Sequence, residues 1–145
     1  MRVVVDTNVV VSRYLAPRGA PSLVFEHWRL EHFVFLVSEA ILQEYERVLK
    51  YERIRSRHKM SDEEVAEVIE GFYEFAVLVP IGPEDRFAVV KDDPADDKFL
   101  ECAAAGGAEC IVTGDEHLLA LEQYHGIQIL SPAAFLAVLS SKESA

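Results

Sequence analysis

Cysteine, long apolar runs and glycine-rich phosphate loops are scarce or missing, and each shortage argues against a class of protein. The two cysteines, Cys102 and Cys110, stand in no CxxC or Cys/His spacing, which predicts two free, buried thiols rather than a zinc site or a disulfide. The first apolar run is interrupted at Asp6 and Asn8, far short of a membrane span or a secretory signal. We therefore expect a cytoplasmic protein with no membrane association. No GxGxxG follows this run, which disfavours a dinucleotide-binding domain.

Basic residues are also in the minority, with 14 Lys and Arg against 25 Asp and Glu and a formal net charge of -11. Because nucleic acid is bound through basic surfaces, this balance argues at first against such a ligand. The distribution weakens that argument, since one segment is strongly basic and contains a single acid, Glu52. Its basic residues are Arg47, Lys50, Arg53, Arg55, Arg57 and Lys59. The segment predicts either an RNA phosphate track, with Arg13 and Arg18 of the first loop as secondary candidates, or a solvated helix face.

The length of 145 residues, half of them apolar, predicts one domain over residues 1–145 with a buried core. Apolar runs of strand length alternate with helical patterns, which predicts an α/β fold with a central parallel sheet covered on both faces. Strands are predicted over 3–5, 33–37, 77–79, 87–90, 110–113 and 127–130. Helices are predicted over 22–30, 38–50, 61–76, 93–106 and 115–121, with a last one capped by Ser131-Pro132. Residues between the first strand and position 22 are predicted to form a loop.

Two aspartates follow predicted strands, where open parallel sheets bind their ligands. Asp6 comes directly after an apolar strand, and a carboxylate in that place needs a partner, which favours a functional role. Asp115 follows the strand that contains Ile111 and Val112. It is equally well explained as the N-cap of the next helix.

Glu44 belongs to the helix predicted over 38–50, at the margin of its apolar arc and beside Val48. From this position its side chain either points along the buried edge into a cleft or keeps its carboxylate in water. Helical geometry by itself leaves both alternatives open.

Four aspartates crowd into positions 92–97. Asp93 is explained as an N-cap before Pro94, and Asp96 as a favourable charge near the positive end of a helix. Asp97 is left over, although helical geometry does not separate it cleanly from Asp96.

A convergence of these acids would call for a cation, because two carboxylates about 4 Å apart repel by roughly 4 kcal/mol at an effective dielectric of 20. Oxygen ligands without His or Cys suit a hard ion, Mg²⁺ or Mn²⁺. Such an ion activates water for phosphodiester hydrolysis. Metal-assisted hydrolysis is therefore the chemistry that the pattern favours.

Four motifs, in order along nearly the whole chain, resemble the PIN-domain nucleases, and in particular the VapC-like toxins of toxin–antitoxin systems. They are Val5-Asp6-Thr7-Asn8, residues 38–45 with Val48-Leu49, residues 93–103, and Ile111-Val112-Thr113-Gly114-Asp115. The resemblance implies a three-layer α/β/α sandwich with a central parallel sheet and a carboxylate-lined cleft that binds Mg²⁺ or Mn²⁺ and cleaves RNA. It also implies a homodimer and a small antitoxin protein that holds the chain inactive.

The resemblance further assigns roles to individual residues. Metal binding and catalysis are assigned to Asp6, Glu44, Asp97 and Asp115. Asp97 is chosen over Asp96 because the family's third acid stands sixteen residues before the threonine of the last motif, here Thr113. Thr7, Asn8 and Thr113 are assigned the task of orienting carboxylates and water.

Two other functions stay open at the level of sequence. A catalytically silent module with the same fold would keep the acids and bind RNA or a partner protein. An aspartyl-phosphate hydrolase also begins with an aspartate after an apolar strand, but usually needs a second aspartate where Asn8 stands.

Overall fold

The structure, a computed structural model, describes residues 1–86 and 97–144. Its strands are Arg2–Val5 (β1), Val34–Val37 (β2), Val77–Leu78 (β3), Cys110–Val112 (β4), Gln123–Tyr124 (β5) and Ile127–Leu130 (β6). Its helices are Thr7–Leu15 (α1), Ala20–Arg29 (α2), Glu39–Leu49 (α3), Glu52–His58 (α4), Asp62–Phe75 (α5), Asp97–Gly106 (α6), Glu116–Leu119 (α7) and Pro132–Ser144 (α8). The strand predicted over 87–90 and the helix start predicted at Asp93-Pro94 lie outside the described residues.

The six strands form one sheet in the order β3-β2-β1-β4-β6-β5. Every neighbouring pair is parallel except β5 and β6, which form an antiparallel edge. Parallel strands present their carboxyl ends at the same edge of a sheet, so the residues that follow β1, β2 and β4 are brought together there.

Helices cover both faces of this sheet, as the burial of β1 shows. Val3, Val4 and Val5 are each no more than 1% exposed, although successive side chains of a strand point to opposite faces. Cys110, Ile111 and Val112 of β4 are buried in the same way. The predicted three-layer α/β/α sandwich with a central parallel sheet is confirmed.

The first loop was predicted wrongly, because residues 7–15 form α1. Asp6 is its N-cap and accepts a hydrogen bond from the Thr7 backbone N–H. The helix contains Val9, Val10 and Val11, whose branched side chains favour strands, but all three are buried against the core. Tertiary burial thus overrides local propensity here. The short helix α4 and the edge strand β5 were also not predicted.

Two other helix starts follow the sequence closely. The Ser38 side chain accepts a hydrogen bond from the backbone N–H of Ile41 at 3.2 Å and caps α3. Ser61 and Glu64 form the predicted capping box at the start of α5.

Helix α6 packs closely against the sheet and contacts β1, β2 and β4. A Cβ on Gly106 would lie 2.7 Å from Cδ1 of Leu36 and 2.9 Å from Cγ2 of Val79, so a larger residue there would displace these two buried side chains. Cys102 and Cys110 are buried free thiols, as predicted, and burial raises the pKa of Cys102 to about 12. Within residues 1–86 and 97–144, no helix is long and apolar enough to cross a bilayer.

Candidate active site

The site begins where the neighbouring strands β1 and β4 end. Val5 pairs with Val112 in the sheet, and the backbone N–H of Asp6 donates to the Val112 carbonyl at 2.9 Å. Asp6 and Thr113 therefore lie next to each other at the carboxyl edge of the sheet. The Thr113 hydroxyl donates to Asp6 Oδ2 at 2.6 Å.

The carboxylate of Asp6 is buried and held by three donors. Oδ1 accepts from the Thr7 backbone N–H at 2.7 Å, and Oδ2 accepts from Asn8 Nδ2 at 2.9 Å in addition to Thr113. The residue is only 4% exposed. These contacts fix the orientation of the carboxylate and leave it little access to bulk water.

Burial raises the pKa of Asp6 from 3.8 to about 6. The hydrogen bonds from Thr113 and Thr7 act in the opposite direction, while the negative charges of Glu44 and Asp115 raise the pKa further. Asp6 is thus a buried acid that lies within the electrostatic field of two other acids.

Glu44 reaches Asp6 through Thr7. The hydroxyl of Thr7 donates to Glu44 Oε2, while its backbone N–H donates to Asp6. Glu44 is 9% exposed, so of the two orientations that the helical pattern allowed, α3 adopts the buried one. The neighbouring Tyr45 hydroxyl donates to the carbonyl of Val5, which joins α3 to the end of β1.

Asp115 caps α7, as the helix interpretation of its sequence position predicted. Its Oδ1 accepts from the backbone N–H groups of His117 and Leu118 at 2.7 and 3.3 Å. Its own N–H donates to Thr113 Oγ1 at 2.9 Å, so one threonine hydroxyl connects it to Asp6. In the part of the chain that the structure describes, Asp115 Oδ2 accepts no hydrogen bond.

Asn8 ties the two strand ends together from the other side. Its Oδ1 accepts from the Gly114 backbone N–H at 3.0 Å, while its amide donates to Asp6. We refer to the connected residues as the acid pocket, which comprises Asp6, Thr7, Asn8, Glu44, Thr113 and Asp115. All six were named from the sequence.

Asp97 lies in α6 and is 8% exposed. It directly precedes Lys98, whose side chain reaches the acid pocket. Its alternative, Asp96, lies outside the described residues. The preference for Asp97 over Asp96 therefore stays a prediction.

Sequence reasoning missed Lys98. Its Nζ donates to Glu44 Oε1 at 2.6 Å, and both side chains are largely buried, with exposed fractions of 22% and 11%. Arg47 Nη2 lies 3.8 Å from the same oxygen, but its side chain is 55% exposed. The only signal in the sequence was a lysine beside an aspartate in a helix, which is equally typical of a solvated surface.

The acid pocket has the donor chemistry of a site for a hard cation, since its charged ligands are all carboxylates. The excess negative charge around buried Asp6 is what such an ion would neutralise. As the side chains stand in residues 1–86 and 97–144, however, no three His, Cys, Asp or Glu side chains are grouped closely enough to hold an ion. The ammonium of Lys98 occupies one oxygen of Glu44.

The predicted basic segment is only partly available for phosphate. Arg53, Arg55 and Arg57 lie in α4, and Lys59 ends that helix with a left-handed backbone, φ 61°. Three cations of the segment already have acidic partners: Arg47 with Glu44 at 3.8 Å, Lys50 with Glu46 at 3.2 Å, and Arg55 with Asp62.

The secondary basic candidates differ in their surroundings. Arg13 lies in α1 rather than in the first loop, so its predicted position was wrong. Its guanidinium stands 5.1 Å from the ring centre of Tyr14 and 5.6 Å from that of Phe25. Arg18 is exposed in the turn after α1.

A cleft of about 830 Å³ lies beside Lys98, the residue that contacts Glu44, and none of the six acid-pocket residues is among the described residues that line it. Lys98 forms part of its wall, together with Arg86 and Gln43. Ser38 and Val79, which follow β2 and β3, line the sheet end of the cleft. The cleft therefore opens at the same edge of the sheet as the acids.

The chain is similar to a known protein family, to a protein of known sequence and to a solved structure. The family model of the PIN domain matches residues 2–117. An uncharacterized protein of Methanocaldococcus jannaschii is 29% identical over 121 residues, which cover 83% of this chain and 75% of that protein. The crystal structure of VapBC2 from Rickettsia felis, bound to a DNA fragment from their promoter, is similar with a TM-score of 0.60. That match covers 89% of this chain and 97% of the other at 13% identity, so it supports the fold alone.

Proposed function

The chain belongs to the PIN domain family, a family of nucleases, and on that premise we propose that it is a divalent-metal-dependent endoribonuclease, the toxin of a toxin–antitoxin pair. The observation that carries this proposal is Asp6, a buried carboxylate with its pKa raised to about 6 beside two further acids. Burying such a group is unfavourable for folding. A cation bound at this site would offset that cost by neutralising the carboxylate. We further propose that residues 1–145 form one nuclease domain.

The catalytic and metal-binding roles are proposed for Asp6, Glu44, Asp97 and Asp115. When bound there, Mg²⁺ or Mn²⁺ would activate a water and stabilise the charge that develops on the phosphate. Thr7 and Thr113 hold the carboxylates of Glu44 and Asp6, and Asn8 holds Asp6 against Gly114. These neutral groups fix the direction of the ligands, which metal sites require.

The substrate is proposed to lie in the cleft beside Lys98. Arg86 and Lys98 supply positive charge on its wall, and Gln43 supplies an amide that can contact sugar or phosphate. The wall also carries two acids, Glu39 and Glu101, so only the part beside the two cations is proposed to contact phosphate. The choice of RNA follows the resemblance to VapC-like toxins. The basic residues between Arg47 and Lys59 are proposed as a second, weaker phosphate track.

The partners are proposed on the same resemblance. The match to the Rickettsia felis VapBC2 structure shows a shared fold, and the antitoxin partner is proposed for this chain from the resemblance to VapC-like toxins. We propose a small antitoxin protein, a homodimer and a cytoplasmic location. Co-expression with a short protein encoded next to the gene, followed by co-purification, tests the antitoxin.

The decisive test of the reaction is RNA cleavage by the purified protein with Mn²⁺, with Mg²⁺ and with EDTA. An unstructured RNA and a single-stranded DNA of the same sequence are compared as substrates. Asp6→Asn is expected to lower the cleavage rate by a factor of about 100 or more, because it removes a ligand that is held in place by three donors.

Asp62→Asn is the matched control, since Asp62 is an exposed aspartate paired with Arg55 on the surface. It should cleave at the wild-type rate. Circular dichroism should show the same helix content in both variants. Cleavage that persists in Asp6→Asn, or that resists EDTA, would refute the proposal.

A second candidate, the catalytically silent module, has one observation in its favour. The ammonium of Lys98 engages Glu44, and no three metal-binding side chains are grouped closely in the described ranges. Such a module would bind RNA in the presence of Mn²⁺ without cutting it, and the same assay separates the two.

The aspartyl-phosphate hydrolase has less support. The amide of Asn8, which stands where the second acid would be needed, is engaged by Asp6 and Gly114.

A further inference from the structure

We propose that Lys98 is a built-in counter-cation of Glu44 that a divalent ion has to displace, so that Lys98 sets how tightly the acid pocket binds metal. This inference rests on the proposed metal-dependent function and extends it to a residue outside the set of acids. Lys98 is a positioning residue in this scheme, because it acts through Glu44.

The contact between Lys98 and Glu44 is close and shielded. The Nζ to Oε1 distance is 2.6 Å, and the two side chains are 22% and 11% exposed. A charged pair with this little solvent contact is weakly screened and keeps its electrostatic effect at physiological salt. The pair also connects α6 to α3. An ion pair between two residues of one helix would make no such connection.

The two oxygens of Glu44 are both engaged in this state. Oε2 accepts from the Thr7 hydroxyl, and Oε1 from Lys98. An ion that uses Glu44 as a ligand therefore competes with a group already in place. A neutral donor such as Thr7 can remain beside a ligand oxygen, but a second cation cannot do so without repulsion.

Arg47 offers an internal comparison, because it approaches the same oxygen. Its Nη2 lies 3.8 Å from Oε1, and its side chain is 55% exposed. Solvent screens an exposed pair of this kind, and its contribution is small. The competition with metal should therefore come from Lys98 far more than from Arg47.

The test is the affinity for Mn²⁺, measured by titration calorimetry on the full chain without RNA. Lys98→Met should bind Mn²⁺ about tenfold more tightly than wild type, a change of about 1.4 kcal/mol. Lys98→Arg keeps the charge and should stay within about threefold of wild type.

Two controls match the substitution. Arg47→Met removes a cation from the same oxygen and should change the affinity by less than about threefold. Lys142→Met removes a lysine that pairs with Glu109 on the surface, with exposed fractions of 56% and 53%, and should leave the affinity unchanged.

Thermal unfolding gives a readout that does not depend on catalysis. In EDTA, Lys98→Met should unfold at a lower temperature than wild type, because buried Glu44 loses its partner. Added Mn²⁺ should raise its unfolding temperature more than that of wild type. Lys98→Arg should resemble wild type in both solutions, which also guards against a general folding defect.

The outcomes separate this inference from the proposed function. If wild type binds Mn²⁺ but Lys98→Met binds it no more tightly, or more weakly, the role of Lys98 is refuted and the nuclease proposal stands. If wild type binds no Mn²⁺ and cuts no RNA, both are refuted.

Discussion

Two buried regions of this molecule contrast sharply, the acid pocket and a cluster of aromatic rings that we call the aromatic core. The rings are Phe25, Trp28, Phe33, Phe35, Phe72 and Phe135. Phe35 lies 4.5 Å from Trp28 and 4.9 Å from Phe33 between ring centres, in tilted and edge-on arrangements. Apolar burial there stabilises the fold directly.

The acid pocket has a buried part as well, formed by Asp6, Thr7, Glu44 and Thr113, but it holds charge. Asp6, at 4% exposure, loses hydration that three hydrogen bonds only partly replace, since its pKa is still raised to about 6. The aromatic core therefore stabilises the fold, while the acid pocket keeps a strained electrostatic arrangement at the edge of the sheet. Such a division is typical of functional sites on rigid scaffolds.

The largest expected effect comes from breaking the aromatic core. Phe35→Ala should lower the free energy of unfolding by about 3–5 kcal/mol, because it leaves a cavity among packed rings. Phe75→Ala is the control, since Phe75 is 69% exposed, and should cost less than about 0.5 kcal/mol. Urea unfolding measures both. Equal losses in the two variants would contradict the contrast between the regions.

The next effect tests the acid pocket through pH, in EDTA. Because the folded pKa of Asp6 is raised to about 6 from 3.8, the folded state holds this proton more tightly than the unfolded chain. The protonated form of Asp6 therefore makes its full contribution to the stability of the fold below about pH 4. This contribution is lost as pH rises through about 6, which lowers the free energy of unfolding by about 3 kcal/mol.

Asp6→Asn should remove this dependence. The unfolding free energy of wild type, measured relative to the variant, should fall by about 2.4 kcal/mol between about pH 4 and pH 7.5, which is most of the full change. Taking the difference cancels the constant effect of the hydrogen bonds that the substitution alters. A difference that does not change with pH would show that Asp6 titrates normally.

A smaller effect tests whether Asp97 or Asp96 belongs to the proposed metal site. Asp97→Asn should weaken Mn²⁺ binding by about 10–100-fold, and Asp96→Asn by less than about threefold. The two substitutions are adjacent and chemically identical, so each controls for the other in the same calorimetric titration. The reverse result would move the third acid to Asp96.

The smallest effect concerns the basic residues of α4. Replacing Arg53, Arg55 and Arg57 with Ala should reduce the salt dependence of RNA binding by at most about three units of slope. The reduction should come mainly from Arg53 and Arg57, because Arg55 is paired with Asp62. Fluorescence anisotropy at several salt concentrations measures the slope. An unchanged slope would make the segment an ordinary solvated surface.

Much of the fold could be predicted because its signals are local. Ser38 and Ser61 begin helices through hydrogen bonds within one turn. The strands β1 and β4 can be recognised from a few consecutive apolar residues. Helix α1 was missed because Val9 and its neighbours favour a strand, and only packing against the core reverses that preference. Its N-cap, Asp6, was read for its chemistry and not as a helix start.

The candidate site could likewise be predicted only where its signals are local. Parallel strands bring Asp6 and Thr113 together wherever β1 and β4 are neighbours, so strand ends alone pointed to this edge. The helical pattern of α3 left Glu44 undecided between a cleft and solvent. Lys98 gave no usable signal, because its contact depends on how α6 lies against α3.

The order of apolar runs, caps and acids along the chain was enough to determine a layered parallel sheet and the edge at which its chemistry lies. Those features depend on hydrogen bonds and side-chain periodicity over a few residues. Only the tertiary structure decided that Glu44 faces inward, that Thr7 joins it to Asp6, and that an ammonium pairs with it. These contacts span 37 and 54 positions of sequence, and no local preference encodes the packing of one helix against another.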